Sequence, residues 1–343
     1  MNCKSLVAVV IPCLNEAGFI GQLLDAVAAQ DYPVHEIIVV DCGSVDGTLE
    51  ILKRYPLEHP SFPLRLVIRP KGTIPEVLNA GIRAATGEII VRLDAHSCPA
   101  ESYIRLSVEA LQQSGAGIVG GMWDIVPGAS GATAQAIAGA GSHRLGAGDA
   151  LYRVGPAAPA RISVDTVPFG CYRKATWEKL GGYNENLLTN EDYEFNHRAR
   201  MAGLQVVLDP QIRCTYIARS TVRDLAAQYF RYGWWKARML KQYPHSLRWR
   251  QAVPAGLVAA LVTLTFLGLI WRTALVALAA LAVLYGVVLT AAALQLKGKA
   301  QSWRVTSILP LAFATIHFSW GTGALVNVLT IGKWPKWGAD GRK

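Results

Sequence analysis

The sequence predicts an α/β fold with helices on both faces of a sheet, followed by a C-terminal membrane segment. Two observations predict it. In the first hundred or so positions, short runs rich in Val and Ile alternate with helical patterns, which is typical of parallel strands joined by crossover helices. Nearer the C-terminus lie three long runs without charged residues, each about the 20 residues that a membrane-spanning helix needs.

Four strands are predicted, over residues 5–12, 36–41, 64–69 and 88–93, with an amphipathic helix in each gap. Ligands of such sheets bind at the carboxyl ends of the strands. Polar clusters follow the first, second and fourth strands, and they read PCLNE, DCGSVDGT and DAHS. These clusters are therefore the candidate ligand-binding loops.

The charge is distributed unevenly along the chain. From Arg213 to the end there are 17 Lys and Arg against two acids, which leaves 17 basic and 22 acidic residues before it. A basic segment suits nucleic acid or an anionic membrane surface, and the uncharged runs 253–271, 274–296 and 305–332 favour the membrane. We expect a lipid bilayer as partner and no nucleic acid. The third run either spans fully or is broken at its proline and glycines.

The flanking basic residues place the front domain in the cytoplasm of a multi-pass protein of the plasma (inner) membrane. The expected domains are a catalytic domain over 1–218, amphipathic interface helices over 219–250 and a membrane domain over 251–343. The N-terminus lacks the pattern of a secretion signal. The six cysteines have no metal-type spacing, and we expect free thiols.

The polar loops do not carry a phosphate-binding motif, since neither GxGxxG nor a P-loop follows the first strand. Acidic side chains at strand ends can hydrogen-bond a nucleotide base or a ribose, but they repel phosphates unless a cation is present. Asp94 and His96 stand two apart after the fourth strand, so both would face one side of an extended chain. An imidazole favours Mn²⁺ over Mg²⁺. We therefore expect Mn²⁺ or Mg²⁺ at this pair.

Six motifs in order, PCLNE, DCGSVDGT, LNAGI, RLDAH, GGYNE and NEDYE, resemble the family 2 glycosyltransferases with a GT-A fold. The resemblance is greatest to the membrane-bound subgroup of succinoglycan-type exopolysaccharide glucosyltransferases, and it covers about residues 5–240. It implies a Rossmann-like mixed sheet with helices on both faces, followed by interfacial and transmembrane helices. It also implies inverting transfer of a sugar from a nucleotide sugar, a UDP-sugar such as UDP-glucose, to a polyprenyl-diphosphate-linked acceptor in exopolysaccharide or cell-envelope glycan synthesis.

The resemblance also implies roles for individual residues. Asp41 would accept a hydrogen bond from the base. Asp46 is either a helix cap or a ligand contact, and Asn79 either shapes the pocket wall or touches the donor. Asp94 and His96 would hold the cation. The residues implied in donor binding are Pro12, Asn15, Glu16, Asp41, Asp46, Asn79, Asp94 and Arg231.

The catalytic base would come from the adjacent pair Glu191 and Asp192, with Asp192 in that role, because neighbouring carboxylates raise one another's pKa. Gln228 and Trp234 would contact the acceptor. The segment from Gln228 resembles the Gln-x-x-Arg-Trp motif of processive relatives, but Tyr232 replaces the tryptophan. The alternatives to single transfer are a processive polysaccharide synthase and a catalytically inactive membrane binding module.

Overall fold

The computed structural model describes residues 5–297 and 302–330. The strands are β1 Val7–Cys13, β2 Glu36–Asp41, β3 Leu64–Ile68, β4 Ile89–Arg92, β5 Ser97–Pro99, β6 Ile118–Val126, β7 Ile162–Ser163, β8 Cys171–Arg173 and β9 Val206–Ile217. They form one sheet in the order β3-β2-β1-β4-β8-β6-β9-β5, with β7 beside β9.

The four strands predicted from the sequence are confirmed as β1 to β4. β1 lies between β2 and β4, and β3 pairs on the far side of β2, all in parallel. Most residues of these strands other than β3 are fully buried, as runs that are apolar on both faces predict. β8 then pairs antiparallel with β4 and β6, and β5 pairs antiparallel with β9. The sheet is therefore mixed.

Helices connect the strands and continue beyond them. α3 starts at a capping box in which Thr73 and Glu76 satisfy each other's backbone N–H groups. A single 3₁₀ turn spans Pro244–Ser246. The helices are α1 Ile20–Ala28, α2 Thr48–Glu58, α3 Ile74–Ala84, α4 Tyr103–Ser114, α5 Ala132–Gly141, α6 Arg144–Ala147, α7 Leu151–Val154, α8 Lys174–Lys179, α9 Glu191–Met201, α10 Val222–Gln242, α11 Trp249–Gly268, α12 Arg272–Lys297 and α13 Trp303–Leu329.

The described chain divides into two compact units. The first unit contains the residues up to Asp124 and Gly155–Tyr216, and the second contains Ile125–Val154 and the residues from Ile217 onward. The expected catalytic domain over 1–218 had included residues 125–154, so that boundary differs. The reason is packing: α5 contributes small apolar residues to one buried cluster with α10, α12 and α13.

The second unit is a helical assembly built on close backbone contacts. A Cβ on Gly233 of α10 would lie 1.9 Å from the Trp320 carbonyl oxygen of α13, and one on Gly323 would lie 2.2 Å from the Phe230 carbonyl oxygen. Small residues allow this approach, as they do in helix packing within membranes. One face of α10 is therefore buried on α13, and its position in the membrane interface stays a prediction.

Three helices, α11 to α13, are long and apolar enough to cross a membrane. They correspond to the three uncharged runs. α13 continues without interruption through Pro310, Gly321 and Gly323, so the break that those residues would permit does not occur. The end of the third predicted run and the basic tail, residues 331–343, lie outside the described residues. The cysteines within the described residues are free thiols, as predicted.

Candidate active site

The loop after β4 carries the predicted cation motif. β4 ends at Arg92, and the Ser97 backbone N–H donates to the Asp94 carbonyl oxygen at 2.9 Å, which closes a turn over Asp94–Ser97. Asp94 and His96 therefore lie in a turn and not on one face of an extended strand. The spacing argument from the sequence was wrong in this respect, although both residues do follow the carboxyl end of a parallel strand.

His96 contacts the loop that follows β1. Its Nδ1 lies 3.0 Å from Glu16 Oε1, and the ring of Phe19 stands edge-on at 6.5 Å between centroids. Glu16, one of the residues implied in donor binding, thus pairs with a residue of the predicted cation motif, and its contact with a donor stays a prediction. The carboxylate orients the imidazole, as outer-shell carboxylates commonly do for histidines that bind metals.

Asp41, at the end of β2, is completely buried. Its carboxylate accepts hydrogen bonds from the backbone N–H groups of Gly43 and Ser44, at 2.9 and 3.0 Å, and from the Ser44 hydroxyl. The same hydroxyl accepts from the Asn15 backbone N–H at 2.8 Å. Asn15 takes a left-handed conformation with φ of 54°. Asp41 thus fixes the loop after β2 against the loop after β1, and its contact with a base stays a prediction.

Asp46 fastens the same two loops. It accepts from the backbone N–H groups of Ala17 and Thr48, both at 3.1 Å, while the Thr48 hydroxyl accepts from the Glu16 N–H at 2.8 Å. The structure therefore places Asp46 in a capping role at the start of α2. Pro12, also among the residues implied in donor binding, is half-buried near the end of β1.

Asn79 was expected either to shape the pocket wall or to touch the donor, and its side chain is fully engaged within the protein. Its amide donates to the Tyr183 carbonyl oxygen and to Glu185, each at 2.9 Å. Its Oδ1 accepts from the Tyr183 N–H at 2.8 Å and from Trp177 Nε1 at 3.2 Å. These four bonds use the whole side chain. Asn79 is therefore a clamp for the GGYNE loop, because a polar group buried in α3 requires partners.

Arg92 lies among the candidate site residues, although the sequence predicted no role for it. It is 2% exposed, and its guanidinium contacts Asp94, Glu191 and Asp192. Burial lowers the pKa of Arg92, but the charges of the three carboxylates raise that pKa well above its ordinary value. One signal could have revealed it: an arginine in the apolar run EIIVRL has to find buried acids.

The two carboxylates from which the catalytic base was predicted, Glu191 and Asp192, lie at the start of α9. They directly follow Asn190, whose φ is 68°. Burial raises the pKa of Asp192 to about 7; Arg92 opposes this shift, and Glu191 and Asp94 add to it. A carboxylate with a pKa near neutrality is suited to accept a proton. Glu194 is separate from this group, because it forms a buried ion pair with Arg198.

The remaining predicted residues lie on α10 in the second unit. Gln228 is buried and its Nε2 donates to the Tyr232 hydroxyl at 3.2 Å. Trp234 is 1% exposed and stands edge-on to Trp235. Arg231 lies on the same helix. Contacts of Gln228, Arg231 and Trp234 with an acceptor or donor stay predictions.

The residues of the cation motif have chemistry that fits a divalent cation. Among the described residues there is no group of three or more His, Cys, Asp or Glu side chains arranged for a metal. The chain would therefore supply one or two ligands and a diphosphate the others, which is common for Mg²⁺ and related ions. Asp94 uses Oδ1 on Arg92, and Glu16 occupies the Nδ1 side of His96. Asp94 would therefore offer Oδ2 to an ion, and the imidazole of His96 would be the second ligand.

Two family models of glycosyltransferases match this chain. A family model described as Glycosyl transferase family 2 matches residues 8–167, and one described as Glycosyl transferase family group 2 matches residues 89–293. The chain is 26% identical to dolichyl N-acetyl-alpha-D-glucosaminyl phosphate 3-beta-D-2,3-diacetamido-2,3-dideoxy-beta-D-glucuronosyltransferase of Methanococcus voltae, over 78% of this chain and 83% of that protein. It is 28% identical to succinoglycan biosynthesis protein ExoA of Rhizobium meliloti, over 72% of this chain and 73% of that protein.

The fold is also that of a solved glycosyltransferase. The mannosyltransferase PcManGT from Pyrobaculum calidifontis, in complex with GDP-Man and Mn²⁺, superimposes with a TM-score of 0.62 at 21% identity, over 97% of this chain and 89% of that one. This likeness confirms the GT-A fold with its mixed sheet. The second family model covers more than half of the chain, and the chain belongs to glycosyltransferase family 2.

Proposed function

We propose that the protein is an inverting, cation-dependent hexosyltransferase. It moves one sugar from a UDP-sugar such as UDP-glucose to a polyprenyl-diphosphate-linked acceptor in exopolysaccharide or cell-envelope glycan synthesis. The observation that carries this proposal is the convergence of Asp94, Glu191 and Asp192 on the buried Arg92. The proposed cation motif and the proposed base thereby come together at the carboxyl end of β4, although about a hundred residues separate them in the chain.

The acceptor class rests on the relatives and on the apolar helices. One relative is named for a dolichyl-phosphate-linked acceptor and another for succinoglycan synthesis, and within the described residues α11, α12 and α13 are long and apolar enough to span a bilayer. A lipid-linked acceptor fits both observations. The basic residues that flank these helices favour a catalytic domain in the cytoplasm, where nucleotide sugars are available.

In this mechanism Asp192 takes the proton of the acceptor hydroxyl through Oδ2, while its Oδ1 stays on Arg92. Attack opposite the leaving nucleotide inverts the anomeric carbon, so that an α-linked donor gives a β-linkage. Asp94 and His96 would hold a divalent cation, which when bound neutralises charge on the leaving diphosphate. Asp41 and Asp46 keep the two loops that would surround the nucleoside in place.

Transfer of a radiolabelled sugar to a lipid fraction tests the proposal. The purified full chain in detergent is given a panel of nucleotide sugars and a polyprenyl-linked acceptor extract. We expect Asp192→Asn to reduce transfer by a factor of about 100 to 10,000, since a general base contributes that much. Glu178→Gln is the matched control, because Glu178 is exposed on α8 outside the site, and it should retain wild-type transfer. Full transfer by Asp192→Asn would refute the base assignment.

The size of the product separates the alternatives. A single-addition enzyme extends each acceptor by one sugar, whereas a processive synthase produces a ladder of lengths. An inactive binding module transfers no label from any donor of the panel.

A further inference from the structure

Arg92 occupies an unusual place for a positive charge, at the end of the central strand β4 and almost completely buried. Burying an isolated guanidinium is very costly, and a buried charge persists only when other groups compensate for it. Here three carboxylates do so. Each belongs to the machinery proposed for the transfer, so the role of Arg92 is tied to that machinery and not to the core in general.

The guanidinium divides its donors between the two halves of the site. Nη2 donates to Asp94 Oδ1 at 3.0 Å and to Glu191 Oε1 at 2.9 Å, and Nη1 donates to Asp192 Oδ1. In the part of the chain that the structure describes, neither Asp94 nor Asp192 has a further side-chain hydrogen bond. Each carboxylate is therefore fixed through one oxygen and presents the other to a ligand.

The Arg92 guanidinium also contacts an aromatic ring. Its central carbon, Cζ, lies 5.9 Å from the centre of the Tyr183 ring, a distance typical of a cation–π contact. Tyr183 is buried, its hydroxyl lies 3.1 Å from that of Tyr172, and its backbone is bonded at both N–H and C=O to Asn79. The Arg92 N–H also donates to the Gly170 carbonyl oxygen. Such support is what fixed catalytic geometry requires.

We propose that Arg92 is a positioning residue that sets the distance and direction between the catalytic base and the cation motif. This proposal rests on the proposed function. Arg92 acts through Asp192 and Asp94 and does not touch the substrate. A planar guanidinium can serve three acceptors at fixed angles, whereas an ammonium presents a single point of charge. The geometry of the guanidinium, and not only its charge, is therefore essential.

The substitution Arg92→Lys tests this distinction, because it keeps the charge and loses the fork. We expect kcat per folded molecule to fall about 10- to 100-fold, since a misplacement of about 1 Å costs that much, while the donor KM changes by less than about threefold. The matched control is Arg161→Lys, which alters another ion pair of the first unit, with Asp209, and should leave kcat unchanged. A kcat of Arg92→Lys equal to that of the wild type would overturn the proposal.

A double substitution shows whether Arg92 works through the base. The loss of kcat in Arg92→Lys combined with Asp192→Asn should be smaller than the product of the two separate losses, because the base that Arg92 positions has already gone. Independent, multiplicative losses would overturn the proposal. If Arg92→Lys does not fold, Glu191→Gln is used in its place, because Glu191 shares the Arg92 Nη2 donor with Asp94. This substitution weakens one of the contacts that hold the guanidinium, and it should lower kcat about tenfold at unchanged KM. An unchanged kcat would overturn the proposal.

The two proposals fail in different ways. Absence of transfer by the wild type from every donor of the panel contradicts the proposed function, and transfer that persists in Asp192→Asn contradicts the proposed base. Transfer that is lost in Asp192→Asn but complete in Arg92→Lys contradicts only the positioning role.

Discussion

Asp192 is the proposed general base, and its ionisation predicts a pH dependence of the transfer rate. Burial raises the pKa of this carboxyl to about 7, and only the ionised form accepts a proton. We therefore expect kcat/KM to rise with pH up to about 7 and then level off. The measurement is initial-rate transfer between about pH 5 and 9, and Glu178→Gln should give the same curve. A flat profile across this range would show that Asp192 ionises in its ordinary range or is not the base.

His96 gives a second prediction at this scale. Replacing it by Ala should weaken Mn²⁺-dependent binding of the nucleotide about tenfold or more, because the imidazole is one of at most two protein side chains expected at the ion. Glu16→Gln should cause a smaller loss, since the amide oxygen can still accept from Nδ1 but the charge has gone. The measurement is Mn²⁺ titration with and without UDP, followed by electron paramagnetic resonance. Identical titration curves for His96→Ala and wild type would refute its role as a ligand.

At the scale of elements, Asn79 clamps α3 to the GGYNE loop. This clamp fixes the position of Tyr183, whose ring contacts the Arg92 guanidinium. Asn79→Ala removes four hydrogen bonds and leaves Trp177 Nε1 and the Tyr183 N–H without their partner. We expect a cost of about 3 kcal/mol in the free energy of unfolding, observed as a melting temperature lower by about 5–10 °C. Asn186→Ala, an exposed change in the same loop, is the control. Equal melting temperatures for the two variants would contradict the clamp.

The elements also show how far the sequence leads. The four parallel strands follow from local apolar runs, and the acids at their carboxyl ends follow from strand polarity, so β1 to β4 and the candidate loops were predictable. Arg92 and Asp192 are a hundred residues apart, and no local pattern pairs them. The turn at Asp94–Ser97 was not predicted for a related reason. β4 ends two residues before Asp94, whereas the prediction continued the alternation of side chains along a strand as far as His96.

The division into two compact units was only partly predictable from the sequence. Residues 125–154 carry Ala- and Gly-rich helices whose apolar faces are too small to identify a partner from composition. Their assignment to the second unit depends on packing with α10 and α13, which are distant in the chain. Cooperation between distant segments therefore limited the prediction of both the site and the domain boundary.

At the scale of the whole molecule, the orientation in the membrane is the prediction that remains. Arg248 and Arg250 precede α11 and Arg272 alone lies between α11 and α12, while Lys297 and Arg304 lie near the connection from α12 to α13. This distribution predicts that the first unit lies on the cytoplasmic side. Cys98 is an exposed free thiol of that unit and serves as a reporter.

A membrane-impermeant maleimide should label Cys98 in inverted vesicles and not in right-side-out vesicles, because the reagent reaches only the outward surface of each. Cys98→Ser is the control that identifies the labelled thiol, since Cys42 is also partly accessible. Labelling of Cys98 in sealed right-side-out vesicles would place the site outside the cell. Nucleotide sugars are made in the cytoplasm, so that result would also contradict the proposed donor.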